Sequence, residues 1–170
     1  MLNYLSLIDT DTLGSRCDVT PLFANFEAFS ALVEGIFAHF RETEFDYAAG
    51  IDALGFILGT AVAMRAKKGF ISIRKGGKLP VETRSVQFVD YTGLQKSLEI
   101  RPDMLPRGAR ILLVDEWIET GTQVNAAIEL IENQQCEVVG IAAINIDGNA
   151  VTNALIEKYN CYAAWMPAEG

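Results

Sequence analysis

Two adjacent carboxylates, Asp115 and Glu116, end an aliphatic run at residues 111–114 and stand shortly before Thr120-Gly121-Thr122. Carboxylates accept hydrogen bonds and suit hard cations, so this pair can hold a diol or a hydrated magnesium ion. The Thr-Gly-Thr segment precedes a predicted helix, whose first amides lack intrahelical partners and favour a phosphate. A polar strand end would explain the two acids alone, and a plain helix cap would explain Thr-Gly-Thr alone. The combination is more specific and predicts a ligand with both hydroxyls and phosphate.

The composition limits the classes of partner. The chain has 170 residues, half of them apolar, which predicts one domain over residues 1–170 with a sizeable core. A net charge of -8 argues against nucleic-acid or anionic-membrane partners. No apolar run reaches the roughly 18 residues of a membrane span. The cysteines, Cys17, Cys136 and Cys161, are odd in number and widely spaced, which favours free thiols in the cytoplasm.

The hydrophobic pattern predicts an alternation of strands and helices. Predicted strands cover residues 45–49, 70–74, 111–115, 138–146 and 161–165, and predicted helices cover 25–41, 56–67, 122–133 and 149–159. Residues 85–91 and 96–100 predict an antiparallel hairpin around Thr92-Gly93. This order is typical of an α/β fold with a parallel sheet covered on both faces. Ligands bind at the carboxyl ends of such strands, so loops 51–55, 74–80 and 115–123 should lie together.

Several segments in these loops resemble the type I phosphoribosyltransferases. VDEWIETGTQ, residues 114–123, is similar to the family motif for phosphoribosyl pyrophosphate (PRPP). IRKGGKLPVET at 73–83 and LEI at 98–100 are similar to the adenine-specific branch of that family. CDVTPL at 17–22 resembles its hood, and GIDALGF at 50–56 resembles its pyrophosphate loop. The resemblance runs in order over about residues 14–147.

The resemblance implies a fold, an activity and partners. The fold would be a central parallel sheet flanked by helices, with an N-terminal hood at about residues 1–25 and a mobile hairpin lid at about 79–98. The activity would be transfer of the 5-phosphoribosyl group from PRPP to a purine, adenine favoured, with release of pyrophosphate. Magnesium would arrive on PRPP without direct protein ligands. We further expect a homodimer.

The resemblance also implies roles for individual residues. Asp115 and Glu116 would bind the ribose diol. The 5′-phosphate loop would consist of Glu119, Thr120, Gly121, Thr122 and Gln123. The pyrophosphate site would comprise Asp52, Ala53, Leu54, Arg74, Lys75 and Lys78. The base pocket would include Arg16, Cys17 and Tyr91. The catalytic residues would be Glu119, as a general acid/base for the purine, and Asp90, an acid beside the base.

Departures from the family pattern leave alternative functions open. Leu54 and Cys17 stand where the family carries arginines, and Glu116 replaces the usual second aspartate. The phosphate loop reads Glu-Thr-Gly-Thr-Gln rather than Ala-Thr-Gly-Gly-Thr. Glu119 matches an acid of 6-oxopurine enzymes, although a solvent-facing glutamate in a first helical turn explains it equally well. The alternatives are a 6-oxopurine phosphoribosyltransferase and a non-catalytic regulator that binds PRPP or a nucleotide.

Overall fold

The computed structural model describes residues 4–13, 17–90 and 92–165. The α-helices are α1 (Thr20–Ala24), α2 (Phe26–His39), α3 (Leu54–Ala66), α4 (Thr122–Glu132) and α5 (Ala150–Lys158), and short 3-10 segments cover Tyr4–Leu7 and Pro102–Met104. The strands are β1 (Tyr47–Ile51), β2 (Gly69–Lys75), β3 (Arg84–Val89), β4 (Gln95–Ile100), β5 (Arg110–Val114), β6 (Trp117–Ile118), β7 (Glu137–Ala143), β8 (Asn145–Ile146) and β9 (Cys161–Ala163).

The main sheet has the strand order β3-β4-β2-β1-β5-β7-β9. Strands β2, β1, β5, β7 and β9 are parallel to one another, which confirms the predicted parallel sheet. The hairpin β3–β4 extends one edge through antiparallel pairing with β2. From β1 the chain passes through α3 to β2 on one side, whereas β5 leads through α4 to β7 on the other. The topological switch point, where ligands bind in such sheets, therefore lies between β1 and β5.

Two hydrophobic clusters cover the two faces of the sheet. Alternate residues of β5 divide between them: Ile111 and Leu113 pack with α4, whereas Leu112 and Val114 pack with α2 and α3. All four are fully buried, as expected for a parallel strand covered on both faces. Within the part of the chain that is described, no helix is long and apolar enough to span a membrane.

Strand β1 begins and ends two residues later than predicted. Gly50 reads as a loop residue in the sequence, yet it pairs with Ser72 and Val114 inside the sheet. A Cβ atom there would lie 2.4 Å from the carbonyl oxygen of Gly55 and 2.9 Å from the ring of Phe70. The missing side chain lets the first turn of α3 approach the strand, so α3 begins at residue 54 rather than 56.

The predicted strand at residues 138–146 is divided into β7 and β8. After β7 the chain turns away from the main sheet. The amides of Ile144 and Asn145 donate instead to the carbonyl of Glu116, at 3.0 and 3.4 Å. Asn145 and Ile146 then pair with Trp117 and Ile118. This small second sheet fixes the backbone that follows the two acids. The short helix α1 was not predicted either, because Thr20–Ala24 is too brief to show a helical period.

Candidate active site

A cleft of about 900 Å³ opens at the carboxyl ends of β1 and β5. Its walls are the turn after β1, the end of β2, the hairpin β3–β4 and the segment 115–124. The predicted residues that line it are Asp52, Ala53, Leu54, Lys75, Asp90, Asp115, Glu116, Glu119, Thr120, Gly121, Thr122 and Gln123. The three loops with unusual chemistry thus meet at one place.

Asp115 forms the floor of the cleft. Its side chain continues the row of β5 residues that faces α4, and the residue is only 3% exposed. Oδ1 accepts the backbone N–H of Glu116 at 2.9 Å, and Oδ2 accepts Nε2 of Gln123 at 3.3 Å. Burial, and to a lesser extent Glu116, raises the pKa of Asp115 well above its usual value. The two acids therefore differ in environment, because the half-buried Glu116 reaches more of the solvent.

Gly121 shapes the start of α4. It is the residue before the helix, adopts a left-handed conformation with φ of 77°, and has no side chain that could cap the helix. A Cβ atom there would lie 2.9 Å from Cγ1 of Val151 on α5. The hydroxyl oxygens of Thr120 and Thr122 are 2.9 Å apart. Small hydroxyl side chains and helix-start amides thus share one wall, a combination that suits a phosphate.

The hairpin β3–β4 contacts the start of α4. The hydroxyl of Thr122 donates to the carbonyl oxygen of Val89 at 2.9 Å, which ties the end of β3 to the first turn of α4. Phe88 is half-buried against the core cluster of that face. The segment predicted as a lid therefore forms one wall of the cleft.

Asp90 lines the cleft but also builds the tip of this hairpin. Its Oδ1 accepts the hydroxyl and the amide of Thr92, at 2.6 and 2.9 Å, and the amide of Leu94 at 3.1 Å. These bonds, the Thr92 hydroxyl first, hold the pKa of Asp90 below its usual value. The carboxyl group is therefore ionised at neutral pH, where it can accept a hydrogen bond and cannot donate a proton.

Only part of the predicted pyrophosphate site faces the cleft. Lys75 lines it, whereas Arg74 and Lys78 do not. Arg74 and Lys75 are neighbours on β2, so their side chains point to opposite faces of the sheet. The guanidinium of Arg74 donates to the carbonyl of Lys78 at 3.4 Å, and its Nε lies 3.7 Å from Oδ2 of Asp52. Arg74 therefore contacts the loop that follows β2 and the turn that follows β1, and it does not line the cleft.

Leu54 places an aliphatic side chain on the cleft wall. It begins α3, directly after a cis peptide bond between Asp52 and Ala53. Its side chain lines the cleft and packs against the core cluster that holds α2 and α3. An aliphatic side chain here leaves Lys75 as the predicted pyrophosphate cation that the cleft retains among the described residues.

The predicted base pocket is only partly visible. Cys17 is half-buried against the core cluster that holds α2 and α3, and it does not line the cleft. Burial, with smaller effects of Asp147 and Asp9, raises the pKa of its thiol. Arg16 and Tyr91 lie outside the described residues. The contact of Cys17 with the base stays a prediction.

Several residues that line the cleft were not predicted, and Trp117 is the most informative. The additional lining residues are Gly76, Gln87, Phe88, Gln95, Lys96, Ser97, Trp117, Ile118 and Val124. Trp117 packs edge-on against Trp165, with ring centroids 5.3 Å apart. A tryptophan directly after two acids was a usable signal, since an aromatic face beside a polar site can carry a flat ligand.

Comparisons with known proteins agree with this geometry. The model of the phosphoribosyl transferase domain matches residues 23–160. The adenine phosphoribosyltransferase of Halothermothrix orenii is 44% identical over 124 residues, 73% of this chain and 72% of that protein. The crystal structure of adenine phosphoribosyltransferase from Thermoanaerobacter pseudethanolicus superposes with a TM-score of 0.84 at 28% identity, covering 93% of this chain and 94% of the other. The Giardia lamblia enzyme complexed with 9-deazaadenine gives 0.77 at 28% identity, over 83% and 82% of the two chains. The chain belongs to the phosphoribosyltransferase family.

Proposed function

We propose that this protein transfers the 5-phosphoribosyl group from PRPP to a purine base, adenine favoured, and releases pyrophosphate. The observation that carries the proposal is the shared cleft, which brings the two acids, the start of α4, and the 52–54 turn with Lys75 together. The two acids suit the diol of PRPP, the start of α4 suits its 5′-phosphate, and the 52–54 turn with Lys75 suits its pyrophosphate. The similar proteins named adenine phosphoribosyltransferase, one of them complexed with 9-deazaadenine, support adenine as the base.

The chemistry follows from the charges around the ribose. The bond from C1′ to the pyrophosphate oxygen breaks and a bond from C1′ to a purine nitrogen forms. The departing group leaves positive charge on the ribose, which the carboxylates of Asp115 and Glu116 stabilise, while Lys75 stabilises the leaving anion. The purine nitrogen loses its proton, for which Glu119 on the cleft wall is the proposed acceptor. Trp117 offers the base a flat apolar surface.

We propose that magnesium enters as part of the substrate, bound to the pyrophosphate of PRPP. It would neutralise charge on the leaving group. The carboxylates of Asp52 and Glu116 line the same cleft and suit contact with a hydrated hard cation. Titration of PRPP binding with and without magnesium measures this requirement directly.

A cytoplasmic homodimer is also proposed. Cys17, Cys136 and Cys161 are free thiols, which fits a reducing compartment. Ile57 and Met64 lie on one side of α3 and are 46% and 74% exposed, an apolar stripe that a second copy could cover. Light scattering on the purified protein measures its mass, and a charged substitution at Met64 is the matching test of this surface.

The test of the function is a substrate screen. PRPP and magnesium are combined with adenine, hypoxanthine, guanine or xanthine, and pyrophosphate release is measured under steady-state conditions. We expect the highest kcat/KM with adenine. A preference for hypoxanthine, guanine or xanthine would instead support the 6-oxopurine alternative. A rise in Tm with PRPP, together with no turnover on any base, would indicate the non-catalytic regulator.

Lys75→Ala should separate the two halves of the PRPP site. Because Lys75 is the predicted pyrophosphate cation that lines the cleft, its loss should weaken pyrophosphate and PRPP binding by roughly 10-fold or more, the scale of one charge-assisted hydrogen bond. Ribose 5-phosphate lacks the pyrophosphate and should keep its affinity. Calorimetric titration of the three ligands measures both effects.

Lys158→Ala, on the exposed surface of α5, is a control with the same change in charge. Equal losses for all three ligands would place Lys75 outside the pyrophosphate site.

A further inference from the structure

Glu99 is a buried carboxylate beneath the loop that follows β2. It lies on β4 and is 5% exposed. Its Oε1 accepts the backbone amides of Lys78 and Leu79, at 2.7 and 2.6 Å, and Oε2 accepts the amide of Gly77 at 3.0 Å. Three successive amides thus converge on one carboxylate, an arrangement that elsewhere forms an anion-binding nest.

These bonds offset the cost of burying the charge. Burial raises the pKa of Glu99, but the amides of Leu79, Gly77 and Lys78, with a contribution from Arg74, leave it below its usual value. The carboxylate is therefore ionised at neutral pH. A buried charge that satisfies three amides restrains the backbone that carries them, because moving the loop would leave both the charge and the amides without partners.

Ser97 holds the same loop from the same face of β4. Its carbonyl accepts the amide of Gly76 at 2.9 Å. A Cβ atom on Gly76 would lie 2.0 Å from the Ser97 hydroxyl oxygen, so the loop approaches the strand closely. Gly77 then turns through a left-handed conformation with φ of 77°. Loop 76–79 is therefore folded back onto β4, and its position sets the direction in which Lys75 leaves the end of β2.

We propose that Glu99 is a positioning residue for the pyrophosphate half of the cleft. The proposal rests on the proposed function and deepens it. Because the carboxylate already occupies the amides of residues 77–79, this nest does not compete for the leaving anion. Lys75 and Gly76 remain to line the cleft, and the anion meets a cationic side chain at a fixed place. Glu99 thereby fixes the position of Lys75, and so affects how pyrophosphate is bound, without contacting the anion.

Glu99→Gln tests the proposal with little change in shape. The glutamine presents one oxygen and one N–H₂ group, so at least one backbone N–H would face a donor. We expect the Kd for magnesium pyrophosphate to rise roughly 10- to 100-fold, the scale of a lost charge-assisted hydrogen bond. The Kd for ribose 5-phosphate should stay within about 3-fold and KM for PRPP should rise more than kcat falls, because only the pyrophosphate subsite moves. Glu137→Gln, exposed on β7, removes the same charge elsewhere and should change none of these values.

Gly77→Ala examines the same contact from the loop, where the core is not disturbed. An added Cβ atom at Gly77 meets open space, but the left-handed conformation becomes strained, so the amide moves away from Glu99. We expect the same selective loss of pyrophosphate affinity. This variant therefore tests the positioning role of Glu99 even if Glu99→Gln does not fold. Unchanged pyrophosphate affinity in the folded variants, or equal loss for both ligands, would overturn the positioning role. Wild-type protein that binds neither ligand would instead contradict the proposed function.

Discussion

Asp115→Asn combined with Glu116→Gln is expected to cut kcat/KM by roughly 10³-fold or more, since two groups that stabilise transition-state charge are lost together. Both replacements keep the size and hydrogen-bonding capacity of the side chains and remove their charge. The fold should survive although Asp115 is buried, because the replacements keep the shape of both side chains and burial disfavours the charged form of Asp115. Steady-state kinetics with PRPP and adenine measure the loss, and circular dichroism checks the fold.

A charge-matched control accompanies this variant. Glu129→Gln with Glu157→Gln removes two exposed carboxylates from α4 and α5 and should leave turnover unchanged. If the double variant at the cleft kept the wild-type kcat/KM, neither acid could hold the ribose of PRPP, and the assignment of the diol site would be wrong.

Asp115→Asn alone should also change how stability depends on pH. Because the folded-state pKa of Asp115 is raised, this residue favours the folded state only at low pH, and that contribution is lost as pH rises through the folded pKa. The variant lacks this loss. Its free energy of unfolding relative to wild type should therefore increase with pH above the ordinary range of an aspartate. Denaturant titrations at several pH values between 4 and 8 measure the difference. A difference that does not vary with pH would contradict the raised pKa.

Glu119→Gln should lower kcat by roughly 10²–10⁴-fold, the usual contribution of a positioned acid or base. The substitution keeps size and hydrogen bonding but removes ionisation, so PRPP affinity should change little. The backbone of Glu119 is held independently, because Nδ2 of Asn149 donates to its carbonyl oxygen at 2.7 Å. The loop geometry should therefore persist in the variant. Kinetics with adenine, hypoxanthine, guanine and xanthine would show whether the loss is shared by all purines.

Glu129→Gln is the matched control for this experiment, since Glu129 lies exposed on α4, the helix that follows the loop. A nearly silent Glu119→Gln variant, with a small gain in PRPP affinity from the removed negative charge, would end the acid/base role. Proton transfer would then have to be assigned elsewhere, because the lowered pKa of Asp90 makes it a weak base and its Oδ1 already accepts hydrogen bonds from Thr92 and Leu94.

The local pattern of the sequence was sufficient to predict the family, the sheet and the loops that meet in the cleft. The confirmed predictions depend on neighbours along the chain: alternating strands and helices, two acids at the end of β5, and a Gly-containing turn at the start of α4. Hydrophobic periodicity decides which side of each element is buried. The rule that ligands bind at the carboxyl ends of parallel strands then brings loops 51–55, 74–80 and 115–123 together without knowledge of any distant contact.

Tertiary contacts decided which nearby residues share a surface. Arg74 and Lys75 are adjacent in the sequence, but only Lys75 lines the cleft, because Arg74 contacts Asp52 and the carbonyl of Lys78. Gly50 reads as a turn until the close approach of Gly55 shows why a strand needs it. Glu99 contacts the amide of Gly77, 22 residues away along the chain, because β4 pairs with β2. Such pairings join residues whose distance in the sequence carries no periodic signal, so only the folded chain reveals them.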